Sequence, residues 1–444
     1  MIRDARVLVC SIALGLLCTA CDQIVDDECV LGEGMDGVAA EAANPPRALE
    51  PADRVVSEEV RAYLEARLQQ MEIVATTTTK RGSVYDWIDI NSQVSDGPIA
   101  SPPPLDPQPD TTVPGDGCRP VAARGELEEE PEENLGPPGT VPVLRIDPDQ
   151  IHAPGSVEDF LSKYGNVTDA PAYVVDESVP LPQVVGAGHF HAGTQRMGTN
   201  YGGEGYINLW EPFVLFPTEQ SLAQTGVSVG TGIPKETIEA GWHVNGALYG
   251  NFSVRFFVYF TTNGYTQPGD LKGGYNAKQS GWVQTSRKMV PGTILTPTSV
   301  IGGVQVDFYI RVQLHDGKWW VRYDDEFVGY YPASLFSEGG LRTKAETLLF
   351  FGEANDDPKI EGMTVNDMGS GKFPGIATWK QNAAYMRFLQ VQDVPEGHDR
   401  KTYNSTHEGA TNPKCYDLVP NFNATDDWHS QFYFGGQGQN PSCP

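Results

Sequence analysis

Two glutamates stand where the residues around them are built for a core. In the stretch TIEAGWHVNGALYGNF, from Thr237 to Phe252, Glu239 lies among Ile238, Ala240, Trp242, Val244, Ala247 and Leu248, with no Lys or Arg inside the segment. In TLLFFGEAN, Glu353 ends an apolar run in the same way. An ionised carboxylate taken out of water without a partner is very costly, so such a group is exposed, paired, or held with a raised pKa for chemistry. Two acids delivered by separate strands can share one proton, the ionised member activating water and the protonated member assisting the leaving group. That arrangement serves aspartic-type proteolysis and glycoside hydrolysis alike. A solvated sheet face, or an internal ion pair such as one with Arg255, fits the same residues. Glu219 and Glu326 are rival acids in more polar surroundings.

Other chemistry is less well supported by its setting. GVSVG, from Gly226 to Gly230, matches G-x-S-x-G, but a nucleophilic Ser228 needs a strand-to-helix turn, and Gly232 and Pro234 follow on the way to another strand. His189 and His191 in GHFHAG point the same way from a strand, yet two ligands do not make a metal site and no HExxH is present. They are read as structural or substrate-lining, and neither a metal nor a cofactor is expected.

The elements that carry these residues are short runs rich in Val, Ile, Phe, Tyr and Trp beyond Gly186, separated by Gly, Pro, Asn and Asp. Many short strands without alternating helices predict an all-β fold, an antiparallel two-sheet β-sandwich. Asp316-Gly317 reads as a hairpin turn. Upstream, SEEVRAYLEARLQQMEIV repeats Val60, Leu64, Leu68 and Met71 at helical spacing, and SVYDWIDINSQ suggests a strand. The segment SPPPLDPQPDTTVPGDG and the acidic run from Glu126 read as solvated linkers. The expected division is a leader at 1–20, then a tether, small module and linker at 21–185, then the sandwich at 186–444.

The chain of 444 residues carries 58 acidic and 31 basic side chains, a net charge of −27, which argues against nucleic acid as a partner. Its opening residues, with Arg3 and Arg6 before an apolar run from Val7 to Leu17, form a secretory signal that is too short to span a bilayer. LLCTACDQ is similar to a bacterial lipobox, making Cys21 a lipidation site and the only expected tie to a membrane. Export as a cell-envelope lipoprotein or an extracellular protein follows. Of the remaining cysteines, Cys415 and Cys443 share the C-terminal tail and are the expected disulfide, leaving Cys29 with Cys118 by elimination.

Longer stretches resemble one family. TIEAGWHVNGALYGNFSVRFFVYFTTNGY, GKWWVRYDDEFVGYYPASLF, MGSGKF and the closing FYFGGQGQNPSCP are similar, in order, to neprosin, the secreted glutamic-class prolyl endopeptidases first known from plants, with bacterial members. GSVYDWIDINSQ and GTVPVLR resemble that family's activation propeptide. The resemblance implies a β-sandwich whose cleft holds Glu239 and Glu353 as catalytic acids, cleavage after proline in acid, and release from a zymogen. Proline-containing polypeptides are then the partners, with Trp242, Tyr249, Trp319, Trp320 and Tyr330 as rings to stack on proline, and Gln224 retained from a family motif. Gly274 and Gln279 occupy the places of a plant cysteine pair. A non-catalytic sandwich binding peptide or glycan through an aromatic cleft is the alternative.

Overall fold

A computed structural model describes residues 47–438 and Cys443, apart from 96, 109–119, 164–187, 231–234, 358–363, 376–381, 397–398 and 426–427. The leader, Cys21, Cys29, Cys118 and the expected boundary near 185 lie outside the described residues.

Alternation along each strand builds the architecture. On the strand Glu236–Asn245, Ile238, Ala240, Trp242 and Val244 face a large apolar core with Phe256, Val258, Phe308, Ile310, Trp319 and Val321, while Thr237, Glu239, Gly241 and His243 take the opposite face. That core lies between two sheets, as expected for a sandwich. One has seven antiparallel strands, in the order Gly273–Tyr275, Val254–Thr261, Glu236–Asn245, Gln220–Val229, Ala345–Asn355, His189–Asn200 and His407–Ala410. The other has eleven, centred on Val306–His315 and Lys318–Tyr323. The hairpin between those two strands turns at Asp316 and Gly317, both with positive φ, as the Asp-Gly signal predicts.

The outer face of the seven-stranded sheet is buried too, because upstream residues roof it. The expected helix, α1 (Glu58–Gln70), is capped by Ser57, whose side chain accepts from the Val60 amide at 3.1 Å. A second, short helix, α2 (Val157–Leu161), was not legible in the periodicity; Ser156 and Asp159 form its capping box. Val60, Ile151, Phe160 and Leu161 pack with Leu222, Phe257, Tyr259, Tyr275, Leu349 and Phe351 in a second apolar cluster.

Two stretches expected to be solvated linkers are docked instead. In the acidic run, Leu127 and Leu135 are buried and Glu126 accepts hydrogen bonds from Thr79 Oγ1 and Tyr85 Oη, both at 2.8 Å. In the described part of the Pro-rich segment, residues 101–108, Asp106 pairs with Arg311 at 3.0 Å. Charge density hid these contacts, since each acid found its donor far away in sequence.

Cys415 and Cys443 form the expected disulfide across 28 residues. Closing a loop of that length in the unfolded chain contributes about 3.5 kcal/mol in the chain-entropy model. The double variant Cys415→Ser with Cys443→Ser should therefore lose about 2–4 kcal/mol, read from its urea midpoint at unchanged slope.

Candidate active site

The site is built on the outer face of the seven-stranded sheet. Glu239 and Glu353 come from strands that flank Gln220–Val229 on either side, paired with Gly226 and Leu222 respectively. Gln224 lies between those two pairing positions on the shared strand. A Cβ at Gly241, the next outward residue after Glu239, would lie 2.0 Å from the Ala223 carbonyl oxygen, so glycine there permits the close strand approach.

Both carboxylates are fully buried, and one ammonium lies between them. Lys163, two residues beyond α2, places Nζ 2.5 Å from Glu239 Oε2 and 3.3 Å from Glu353 Oε2, and is itself buried. Its Nζ also donates to Gln224 Oε1 at 3.4 Å, and the Tyr259 and Phe351 rings flank it, their centroids 5.9 Å and 5.8 Å away. Around Glu239 the donors are neutral: Gln224 Nε2 donates to Oε2 at 2.8 Å, and Tyr265 Oη and Thr237 Oγ1 donate to Oε1 at 2.6 Å and 3.0 Å. Around Glu353 they are imidazoles. His189 Nδ1 donates to Oε1 at 2.7 Å, and His191 Nε2 lies 3.6 Å from the same oxygen.

Burial by itself would push both carboxyl pKa values up. The Lys163 charge reverses this, together with hydrogen bonds from Lys163, Tyr265 and Gln224 at Glu239, and with His191 and His189 at Glu353; both acids end below the ordinary glutamate value. Burial likewise opposes the charge on Lys163, but the two carboxylates raise its pKa. Burial lowers the His191 pKa to about 4. In this form of the protein the pair thus holds an ammonium rather than one shared proton. Of the settings open to Glu239, pairing is the one observed, with Lys163 as partner. Arg255 turns to the Gly292 carbonyl instead, at 2.6 Å.

The aromatic residues divide by strand parity. Trp242 and Trp319 face the core between the sheets, where their indole N–H groups reach the Asn208 and Leu341 carbonyls. Trp320 and Tyr330 lie on the outer face of the other sheet with Val94, Ile99 and Ala100. These four do not line the site, because strand parity sends each of them elsewhere. Tyr249 is on the site's side, bonded to His243 Nε2 at 2.7 Å and accepting from Asn276 Nδ2 at 2.9 Å. Ser228 sits within a strand, without the turn a nucleophile needs. Among the described residues no cluster of His, Cys, Asp and Glu could hold a metal ion.

Sequence reasoning missed Lys163, Tyr265 and the pairing of His189 with Glu353. Only the histidines had a readable signal, two on one face of a strand. Gly274 and Gln279, in the places of the plant cysteine pair, do adjoin: a Cβ at Gly274 would lie 2.4 Å from Gln279 Oε1.

The family model Neprosin matches residues 217–437. That span includes Gln224, Glu239, Tyr265 and Glu353, and leaves α1, α2, Lys163 and both histidines outside it. The matched span carries both convergent glutamates and most strands of the sandwich, only His189–Asn200 and Gly202–Asn208 of its long strands preceding it, and by this match the chain belongs to the neprosin family and is a peptidase.

Proposed function

We propose that the protein is an exported glutamic-class endopeptidase in a latent form, which hydrolyses peptide bonds in acid once the segment carrying Lys163 has left the site. The observation that carries this reading is the single ammonium held between two buried carboxylates on a roofed sheet face. A buried pair of acids is stable only with a cation or a proton between its members, so removing Lys163 leaves room for a proton, a water molecule and a scissile carbonyl.

In the open site the two glutamates share one proton and titrate as a pair. The donors around both acids favour the ionised form, but the imidazoles beside Glu353 can carry charge and those around Glu239 are neutral, so the shared proton rests on Glu239. Glu353 takes a proton from water as the water oxygen bonds to the scissile carbonyl carbon. Glu239 then gives its proton to the amide nitrogen as the C–N bond breaks. Tyr259 and Phe351, which flank the Lys163 ammonium, take over the role first assigned to the tryptophans, as walls for a proline ring.

The test is digestion of a proline-rich polypeptide at about pH 4, near the ordinary carboxylate pKa, with the new C-termini read by mass spectrometry. Cleavage mainly after proline is the expected result. Cleavage without regard to proline would remove that specificity, and intact substrate with the upstream segment gone would favour a binding sandwich.

A further inference from the structure

We propose that Lys278 is a substrate-binding residue of this cleft, holding a main-chain carbonyl of the bound polypeptide about three residues along from the position at the dyad. The proposal rests on reading the cleft as the peptide site. It does not rest on the chemistry assigned to Glu239 and Glu353.

Lys278 follows the edge strand Gly273–Tyr275 and is buried. Its Nζ donates to the Phe160 carbonyl oxygen at 2.8 Å, lies 4.3 Å from the Phe160 ring centroid, and is 5.5 Å from that of Tyr275. No carboxylate lies within ion-pair distance of it among the described residues. The titratable groups that sense or border it are His243, Tyr275 and Tyr63, and Tyr63 Oη donates to the Lys278 carbonyl at 2.7 Å. A buried ammonium without an acid is costly, and its one acceptor among the described residues is a peptide carbonyl supplied by the upstream segment. Burial lowers its pKa to about 7, so it carries its charge throughout the acid range.

Phe160 and Lys163 belong to one short run of chain, three residues apart and at most about 10 Å along an extended backbone, so a single peptide reaches both Lys278 and the dyad. Gln220 Nε2 grips the same run at the Lys163 carbonyl, at 3.5 Å. Leu161 fills the apolar cluster with Leu222, Leu349 and Phe351 between these two contacts. Held at two main-chain carbonyls, the segment is gripped by contacts that do not depend on its side chains, as a site for many sequences requires. When the segment leaves, Lys278 keeps its donors and loses its acceptor. It also adjoins Gln279, in the stretch where this chain departs from the plant cysteine pattern.

The test starts from the folded full chain with a protease site inserted between residues 164 and 187, so that opening the cleft does not depend on self-processing. Two synthetic peptides are titrated by intrinsic fluorescence, one copying residues 156–163 and one copying only 161–163. Lys278→Met should weaken the longer peptide about tenfold, bring the two peptides close together in affinity, and leave the shorter one unchanged; Lys278→Arg should restore the difference. Equal affinity of the longer peptide for wild type and Lys278→Met would overturn the proposal, as would an equal loss for both peptides. Binding is read without hydrolysis, so failure of the dyad chemistry leaves this result intact.

Discussion

Lys163→Met is expected to open the site at neutral pH. The substitution keeps the side chain's length and removes its charge, leaving two fully buried carboxylates without their cation. Deleting one partner of a buried ion pair typically costs about 3–5 kcal/mol, which shifts the closed–open balance by a factor of about 100 or more. The acid response should also change sign. Both glutamates have lowered pKa values when the segment is in place, so the stability of the closed form is fully present above their ordinary value of 4.5 and is lost as the pH falls through the lowered values. Wild type therefore opens in acid. In Lys163→Met the closed form needs protonated glutamates, so it is relatively favoured in acid and disfavoured at pH 7. Deuterium uptake by residues 157–163, followed from about pH 7 to pH 3, reads both effects. Equal protection of the segment in the two proteins at neutral pH would show that Lys163 does not hold it.

Glu239→Gln and Glu353→Gln should each reduce kcat by about a thousandfold or more once the upstream segment is gone, since general acid–base groups typically contribute factors of about 100 to 10,000 and each variant disables both steps. Peptide affinity should change little, because an amide fills the same volume and neither acid makes the main-chain contacts seen at Gln220 and Lys278. The segment must be removed before the measurement, as either amide also weakens the grip on Lys163. The rate should rise as one proton enters the pair and fall as the second does, giving a bell in acid whose limbs belong to the pair. Retention of more than about a tenth of wild-type kcat by either variant would rule out a two-glutamate mechanism.

Together these expectations tie latency and catalysis to the same two side chains. On the proposed mechanism, the carboxylates that bind the ammonium near neutrality lose it when acid protonates them, and one retained proton is what the reaction needs. Acid would then both release the segment and prepare the site, without a separate sensor.

The sequence by itself determined the sandwich and the two acids. Period-two alternation on strands such as Glu236–Asn245 writes the inner face directly, and a glutamate on a strand whose neighbours are all apolar is conspicuous because its desolvation is so unfavourable. The family resemblance joined Glu239 to Glu353. Tertiary structure alone decided what lies against them. Lys163 is 76 residues from Glu239 and follows a helix of five residues, too short for any periodic signal, and its charge looks solvated until the fold supplies two carboxylates. The same limit explains the misread acidic run, in which Glu126 is buried against Thr79 and Tyr85. It also explains the aromatics: the family resemblance suggested Trp242 and Trp319 as walls of the site, but strand parity turns them into the core and leaves Tyr259 and Phe351 beside Lys163. Local pattern records which residues must leave water, because that preference belongs to each residue separately. The partner a buried charge finds there depends on chain closure over long separations, which only the folded protein specifies.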